Sequence, residues 1–468
     1  MIESSSSEAP LMLSVSGMRG IVGQTMTSEV AEAYAGAFGS YIRSTGVLAP
    51  TICLGRDSRP SGAELMQAAS MGLRSVGCRV IELGVVATPT VGVEILTSQA
   101  EGGMVITASH NPTPWNGIKC LNADGVAPPP DMAGQIIERF KAKQIDLVLE
   151  GAEGDVLVDD GANERHLKRV LKCVDAESIC DASIKVVLDS VNGAGCESGF
   201  MLLKALGCEV VHLNGEPTGL FAHTPEPTEA NLTDLAARTK VERAAIGFAQ
   251  DPDADRLAVV DEHGSYIGEE YTMVLAAKCV LDQTSGGGVI AANLSTSRMI
   301  DDLAARYEGV RVVRTKVGEA HVVEALKASG KEALLGGEGN GGVILPGVCW
   351  VRDSLGAMAL TLSLLANENK PLSEIVASLP KYTMIKQKFD LSDVGGLDAV
   401  AGMIQTLKET YADADQNDSD GIRLDFSDGW VHLRPSNTEP IVRLIGEAKD
   451  EERAWELINE VVGVVGLR

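Results

Sequence analysis

The sequence predicts an α/β protein of three related α/β domains with mixed, largely parallel sheets, followed by a smaller C-terminal α+β domain. Three observations carry this expectation. Apolar β-branched runs alternate with helical patterns through the first three quarters of the chain, the order in which parallel sheets and crossover helices are laid down. A helix-ending glycine followed by a strand recurs as Gly77-Cys78-Arg79-Val80-Ile81-Glu82-Leu83, as Gly207-Cys208-Glu209-Val210-Val211-His212-Leu213, and more loosely as Gly309-Val310-Arg311-Val312-Val313-Arg314-Thr315. After the apolar helix Ser354–Leu365 and the polar break Asn367-Glu368-Asn369-Lys370, the order changes to strand, helix, short strands and a terminal helix.

Taken in order, Met1 to Glu8 lack the basic region of a secretory signal and read as a short leader. Each glycine of the repeated segment ends a helix without a Cβ penalty, and the β-branched residues that follow enter a buried strand. Boundaries are expected near Asp155, before a helix over Asn163–Val174, and near Gly264, where the strand Leu257–Val260 ends in a turn. The predicted domains are therefore 1–155, 156–264, 265–372 and 373–468. In the last, a strand is expected over Met384–Phe389, a helix over Leu397–Tyr411, and a hairpin over Asp425–Leu433 with Asp428-Gly429 at its turn.

The whole chain has 468 residues, enough for about three compact units. Apolar residues make up 45% and charged residues 22%, which allows a sizeable core and excludes bulk disorder. The 40 Lys and Arg against 65 Asp and Glu give a formal charge of −25. That charge repels nucleic-acid phosphate and anionic lipid, so the expected partner is a small molecule, with neither nucleic acid nor membrane. An anionic substrate then requires identifiable cationic side chains at its site. The apolar stretch Met71–Leu96 is interrupted by Arg74, Arg79, Glu82 and Glu94, so it does not read as a membrane span. Nine cysteines without a Cys-x-x-Cys pair, several inside apolar runs, point to reduced thiols and a cytoplasmic protein.

Four loops carry chemistry. Thr107-Ala108-Ser109-His110-Asn111-Pro112 leaves the strand Gly103–Ile106, and Asn116-Gly117 is a tight-turn signal that should bring Lys119 back toward Ser109. Ser109 is either a nucleophile that carries phosphate, with Lys119 moving its proton, or the cap of a polar turn. Asp251-Pro252-Asp253-Ala254-Asp255-Arg256 sets three carboxylates at alternate positions, which repel one another unless solvated or neutralised by a hard divalent cation. Magnesium, a solvated acidic turn and calcium are the open readings. The calcium-loop spacing to Glu262 is matched, but Arg256 stands where that loop needs glycine, and strand-like residues follow. Gly336-Gly337-Glu338-Gly339-Asn340-Gly341-Gly342 reads as a loop permitting close backbone approach to a ligand, with Glu338 and Asn340 available to sugar hydroxyls, or as a mere turn. Arg434-Pro435-Ser436-Asn437-Thr438-Glu439-Pro440 offers a guanidinium, hydroxyls, an amide and backbone N–H groups suited to a phosphate dianion, or is an ordinary proline-bounded loop.

Together these loops, in this order and over nearly the whole chain, resemble the α-D-phosphohexomutase superfamily of phosphoglucomutases, phosphomannomutases and phosphoglucosamine mutases. Ser16-Gly17-Met18-Arg19-Gly20 and Gly55-Arg56-Asp57-Ser58-Arg59-Pro60-Ser61-Gly62 are similar to further family motifs. The resemblance implies four domains around a central cleft, carrying in turn the phosphoserine loop, the metal loop, the sugar loop and the phosphate loop. It implies an isomerase that interconverts hexose 6-phosphate and hexose 1-phosphate through a phosphoserine and a hexose 1,6-bisphosphate. Ser109 would carry the phosphate, and magnesium would sit between it and Asp251, Asp253 and Asp255. Lys119 and His110 would move protons, with Arg19 near the transferring phosphate. Arg256, Lys316, Glu338 and Asn340 would bind substrate, while Arg434, Ser436, Asn437 and Thr438 would grip the phosphate that is not reacting. A monomer or homodimer is implied. Many bacterial members have serine and histidine where this chain has Asn340 and Gly342, so its sugar loop resembles the archaeal-type branch. Phosphoglucosamine mutase is the first expectation and phosphomannomutase/phosphoglucomutase the second. A non-catalytic sugar-phosphate or calcium-binding protein is the rival of another class, against which the intact Ser109 and Lys119 speak.

Overall fold

Each of the three recurring glycines takes the left-handed conformation and hands the chain to a strand. Gly77 (φ 81°) precedes Arg79–Val85, Gly207 (φ 74°) precedes Glu209–Leu213, and Gly309 (φ 74°) precedes Val310–Thr315. Each strand then pairs in parallel with the strand before its helix: Thr51–Arg56, Lys185–Asp189 and Gly288–Asn293 respectively. The echo in sequence is a repeated strand–helix–strand unit.

The structure is a computed structural model that describes residues 11–436 and 440–467. It divides into two units, Met1–Cys279 with Gly341–Ser373, and Val280–Asn340 with Glu374–Arg468.

The first unit holds two of the sheets. One has seven strands in the order Met12–Ser14, Gly17–Ile21, Trp115–Asn122, Gly102–Ile106, Thr51–Arg56, Arg79–Val85 and Val156–Val158. Its core joins Ile52, Leu54, Met104 and Ile106 of the strands to Tyr34, Phe38, Leu65 and Leu73 of the helices Ser28–Ser44 and Gly62–Ser75. The other runs Leu257–Asp261, Ile246–Gln250, Lys185–Asp189, Glu209–Leu213, parallel except where Leu257–Asp261 turns back beside Ile246–Gln250. The helix expected over Asn163–Val174 spans Ala162–Leu171 instead; Asp175 then caps a second helix, Ala176–Asp181, by accepting from the Ser178 N–H.

Asn116 and Gly117 do not form the expected turn. They lie inside the strand Trp115–Asn122, which pairs on one side with Gly102–Ile106 and on the other with Gly17–Ile21. The glycine answers a packing need: a Cβ at Gly117 would stand 2.3 Å from the Met18 carbonyl oxygen. The predicted return of Lys119 holds, with Lys119 opposite Val105.

In the second unit, Gly288–Asn293 is flanked in parallel by Val310–Thr315 and Ala333–Glu338. Gly336 and Gly337, read as loop, therefore belong to a strand. A Cβ at Gly336 would meet Leu326 and Val322 at 2.7 and 2.8 Å, so this glycine lets the helix Glu319–Ser329 pack on the sheet. The unit's other sheet is antiparallel, in the order Thr383–Asp390, Ile441–Ala448, Gly429–Pro435, Ile422–Asp425, Asp415–Asn417. The expected hairpin is present, with Asp425 opposite Trp430, but its turn sits at Ser427-Asp428 rather than Asp428-Gly429: the Phe426 N–H donates to the Gly429 carbonyl, and Gly429 already belongs to the returning strand. Two further strands were not expected. Ile441–Ala448 is central and buried along most of its length, so it lacks the alternation that marks a half-exposed strand. Asp415–Asn417 is a polar three-residue edge without apolar signal.

None of the nine cysteines forms a disulfide among the described residues, and Cys180 alone of them is exposed. Among the described residues no helix is long and apolar enough to cross a membrane.

Candidate active site

Ser109 is buried in the loop that leaves the strand Gly102–Ile106. Its φ of 50° is left-handed, a conformation that costs a residue with a Cβ about 1–2 kcal/mol. Its Oγ donates to Asp251 Oδ2 at 3.2 Å. Asp251 follows the strand Ile246–Gln250, and its Oδ1 accepts from the N–H groups of Asp255 and Arg256, both at 3.1 Å. This turn, with Ala254 at φ 54°, aims three carboxylates inward. One oxygen from each of Asp251, Asp253 and Asp255 lies within 4.8 Å of the others, and all three residues are buried.

Cationic and hydroxyl groups surround the triad. Lys119 Nζ donates to Asp253 Oδ2 at 2.5 Å and to Asp255 Oδ2 at 2.9 Å. Arg352 Nη2 donates to Asp255 Oδ2 at 2.8 Å, and Thr88 Oγ1 to Asp253 Oδ2 at 2.5 Å. Even so, Asp253 Oδ1 and Asp255 Oδ1 are buried without a hydrogen-bond partner among the described residues. Buried carboxylate oxygens that lack donors fit a hard cation with oxygen ligands, and magnesium suits this set.

The charges are strongly coupled. Burial pushes the Asp251 carboxyl well above the usual range, and repulsion from Asp255 and Asp253 adds to it. Burial also opposes charge on Asp255, but Arg352, Lys119 and Arg256 outweigh it and hold that carboxyl below the usual range. At Lys119 burial works against the ammonium, and Asp253 and Asp255 overcome it, raising the pKa. Burial, together with the nearby Arg256 and Arg19, pushes His110 down to about 3, and its Nδ1 has no partner among the described residues. Arg19 Nη1 reaches Asn111 Oδ1 at 2.8 Å. Arg256 Nε is buried without a hydrogen bond among the described residues, 3.8 Å from Asp255 Oδ1.

The calcium-loop alternative fails on geometry. The strand Leu257–Asp261 begins immediately after Arg256, the neighbour of Asp255, where a calcium loop would still be turning, and Glu262, that loop's required last ligand, instead accepts from the Ser373 hydroxyl and N–H.

The second unit carries the other predicted residues. Glu338 accepts from Asn293 Nδ2 at 2.9 Å and lies within 3.5 Å of Asn340 Nδ2. Arg434 is buried, its Nε donates to Asp420 Oδ2 at 3.1 Å, and its Nη2 has no partner among the described residues. Lys316 is exposed on the turn whose Val317 N–H also donates to Asp420 Oδ2, at 2.9 Å. The Ser436 N–H donates to the Ile441 carbonyl. Asn437 and Thr438 lie outside the described residues.

Sequence reasoning missed Thr88, Arg352 and Asp420. Thr88-Pro89 and Arg352-Asp353-Ser354 carry only helix-start signals, and Asp420-Gly421 only a turn signal, so nothing local ties them to a site.

Comparison with known proteins gives a consistent result across the chain. Family models described as phosphoglucomutase/phosphomannomutase alpha/beta/alpha domains I, II and III match residues 12–146, 164–264 and 268–382, and the corresponding C-terminal domain matches 386–464. A probable phosphoglucosamine mutase of Methanopyrus kandleri is 37% identical over 451 residues, 96% of each chain. A phosphoglucomutase/phosphomannomutase of Thermococcus kodakarensis is 37% identical over 444 residues, 95% of this chain and 96% of that one. The crystal structure of a phosphoglucomutase/phosphomannomutase family protein from Burkholderia thailandensis superimposes with a TM-score of 0.83 at 28% identity, covering 97% of this chain and 99% of that one.

Proposed function

The chain belongs to the phosphoglucomutase/phosphomannomutase family and is a phosphohexomutase of the isomerase class, and from that membership we propose that it interconverts glucosamine 6-phosphate and glucosamine 1-phosphate. The observation that best supports the phosphoryl chemistry of this reading is the contact of Ser109 Oγ with Asp251, the first of three carboxylates whose other two members hold Lys119, while the choice of sugar rests on the Methanopyrus relative.

In the proposed cycle Ser109 carries a phosphoryl group and passes it to the free hydroxyl of the sugar phosphate. The serine O–P bond breaks, the sugar O–P bond forms, and Lys119 and His110 move the hydroxyl proton toward the departing serine oxygen. The product is a hexose 1,6-bisphosphate, which turns end for end and returns its other phosphate to Ser109. Asp251, Asp253, Asp255 and the phosphorylated Ser109 would hold magnesium. When bound, that ion neutralises charge on the transferring phosphoryl group. Arg19 and Arg256 bring cationic donors to the same group. Glu338 and Asn340 take the sugar hydroxyls, Lys316 contacts substrate, and Arg434, Ser436, Asn437 and Thr438 grip the distal phosphate. The work divides along the proposed domains: phosphoserine loop in 1–155, metal loop in 156–264, sugar loop in 265–372, and phosphate loop in 373–468.

A second reading, phosphomannomutase/phosphoglucomutase, rests on the Thermococcus relative, which is as similar as the Methanopyrus one. Turnover on glucosamine, mannose and glucose phosphates decides between them. Intact mass tests the reaction itself. A stoichiometric phosphate of about 80 Da is expected on the enzyme, removed by excess sugar phosphate and absent from Ser109→Ala. That variant should lose at least about a thousandfold in activity. Near-wild-type turnover of that variant, with no phosphate on another residue, would overturn Ser109 as the phosphate carrier, whereas a wild type that binds sugar phosphate without turnover would be only a binding protein.

A further inference from the structure

The left-handed backbone of Ser109 is closed into a ring of buried hydrogen bonds that no mechanistic role so far explains. On one side the Ser109 N–H donates to Thr107 Oγ1 at 2.9 Å, and the same hydroxyl donates to Asp57 Oδ2 at 2.7 Å. On the other, Arg59 Nη2 donates to the Ser109 carbonyl at 2.7 Å and to the Asn111 carbonyl at 2.6 Å. The ring closes where Arg59 Nε meets Asp57 Oδ2 at 3.0 Å. Arg59 Nη1 adds the Trp115 carbonyl at 3.0 Å, and the Phe221 ring lies 4.9 Å from the guanidinium carbon. Asp57, Arg59 and Thr107 are all buried, at 2% exposure or less.

Both ends of the Ser109 residue are thus gripped by one ion pair, directly at its carbonyl and through a hydroxyl at its N–H. A backbone conformation that serine does not favour persists only where its surroundings over-determine it. We propose that Thr107, with Asp57 and Arg59 behind it, is the positioning residue that fixes the Ser109 backbone and so aims Oγ at the reacting phosphoryl group. This rests on Ser109 being the phosphate carrier. Thr107 itself touches no reacting atom. Its hydroxyl is needed twice, as acceptor and as donor, and valine of the same shape supplies neither.

The test compares wild type with Thr107→Val, Thr107→Ser and Ser109→Ala. Each protein is treated with glucose 1,6-bisphosphate, weighed intact, and followed in single turnover on glucosamine 6-phosphate and glucose 1-phosphate. Misplacement of a reacting atom by an ångström costs about a hundredfold in rate. Thr107→Val should therefore lower transfer by about ten- to a hundredfold, with KM and calorimetric magnesium affinity little changed. Thr107→Ser should restore most of the rate. If the valine variant does not accumulate as folded protein, Thr107→Ala replaces it with the same expectation. Wild-type transfer in Thr107→Val overturns the inference, as does a serine variant no better than valine, or a loss confined to KM. Phosphate retained and transferred by Ser109→Ala would instead overturn the assignment of Ser109, and the two failures are distinguishable.

Discussion

Lys119 Nζ lies 2.5 Å from Asp253 Oδ2, so the proposed proton carrier and the proposed cation ligands share carboxylate oxygens. Charge on either partner therefore sets the affinity of the other. Replacing Lys119 by methionine removes the proposed proton carrier and a cation that pairs with two of the three carboxylates. Activity should fall by about a hundredfold or more, the usual share of general acid–base catalysis. Magnesium should bind more tightly, because the carboxylates lose a competing positive charge. Calorimetry alongside kinetics checks both, and weakened magnesium binding would show that Lys119 supports the loop only structurally.

Asp253→Asn removes the negative charge of one proposed cation ligand and weakens the acceptor for Lys119 and Thr88. Magnesium affinity should drop by at least about tenfold, and activity should recover in part as magnesium is raised. A wild-type enzyme indifferent to chelator would mean that the triad serves another purpose.

Arg434 is buried with one guanidinium nitrogen unpartnered among the described residues. Charge-assisted hydrogen bonds to a phosphate are worth about 1.5–3 kcal/mol, so Arg434→Ala should weaken binding by roughly ten- to a hundredfold. The loss should appear for both the 1-phosphate and the 6-phosphate, since in the proposed cycle either would occupy this site in one half, and free bisphosphate should escape more often. Unchanged calorimetric affinity for both isomers would make this loop a structural turn.

His432 is fully buried, with Nε2 2.7 Å from the Asp420 carbonyl and Nδ1 3.0 Å from Ser295 Oγ. The carbonyl requires a proton on Nε2, leaving Nδ1 to accept from the serine, so the neutral ring is satisfied on both sides. Burial pushes its pKa from 6.5 down to about 4. Below 6.5 the unfolded chain gains a proton that the folded chain refuses, so stability falls as pH drops from about 6.5 toward 4, by up to about 1.4 kcal/mol per unit. Urea midpoints between pH 4.5 and 7 should fall more steeply for wild type than for His432→Gln. Parallel slopes would refute this account.

The sequence by itself determined what is local. The helix-ending glycines at 77, 207 and 309 mark their strands because a left-handed turn depends on one residue's lack of a Cβ. The carboxylates of Asp251, Asp253 and Asp255 converge because one six-residue turn holds them, with Asp251 accepting from backbone four and five residues on. The return of Lys119 beside the strand that leads to Ser109 was legible because the two strands follow one another in the chain and pair, with Lys119 opposite Val105.

Tertiary structure alone decided which distant groups complete the site. Thr88 and Arg352 reach the triad across 165 and 97 residues, and Arg59 reaches the Ser109 carbonyl across 50. Gly117 and Gly336 were misread for the same reason: each was taken for a turn or loop signal, yet each is small because another element packs against it. Backbone preferences act over a few residues and leave a local mark in composition. Side-chain partners are set by how the packed elements bring separate segments together, and no local pattern records which cation will meet which carboxylate.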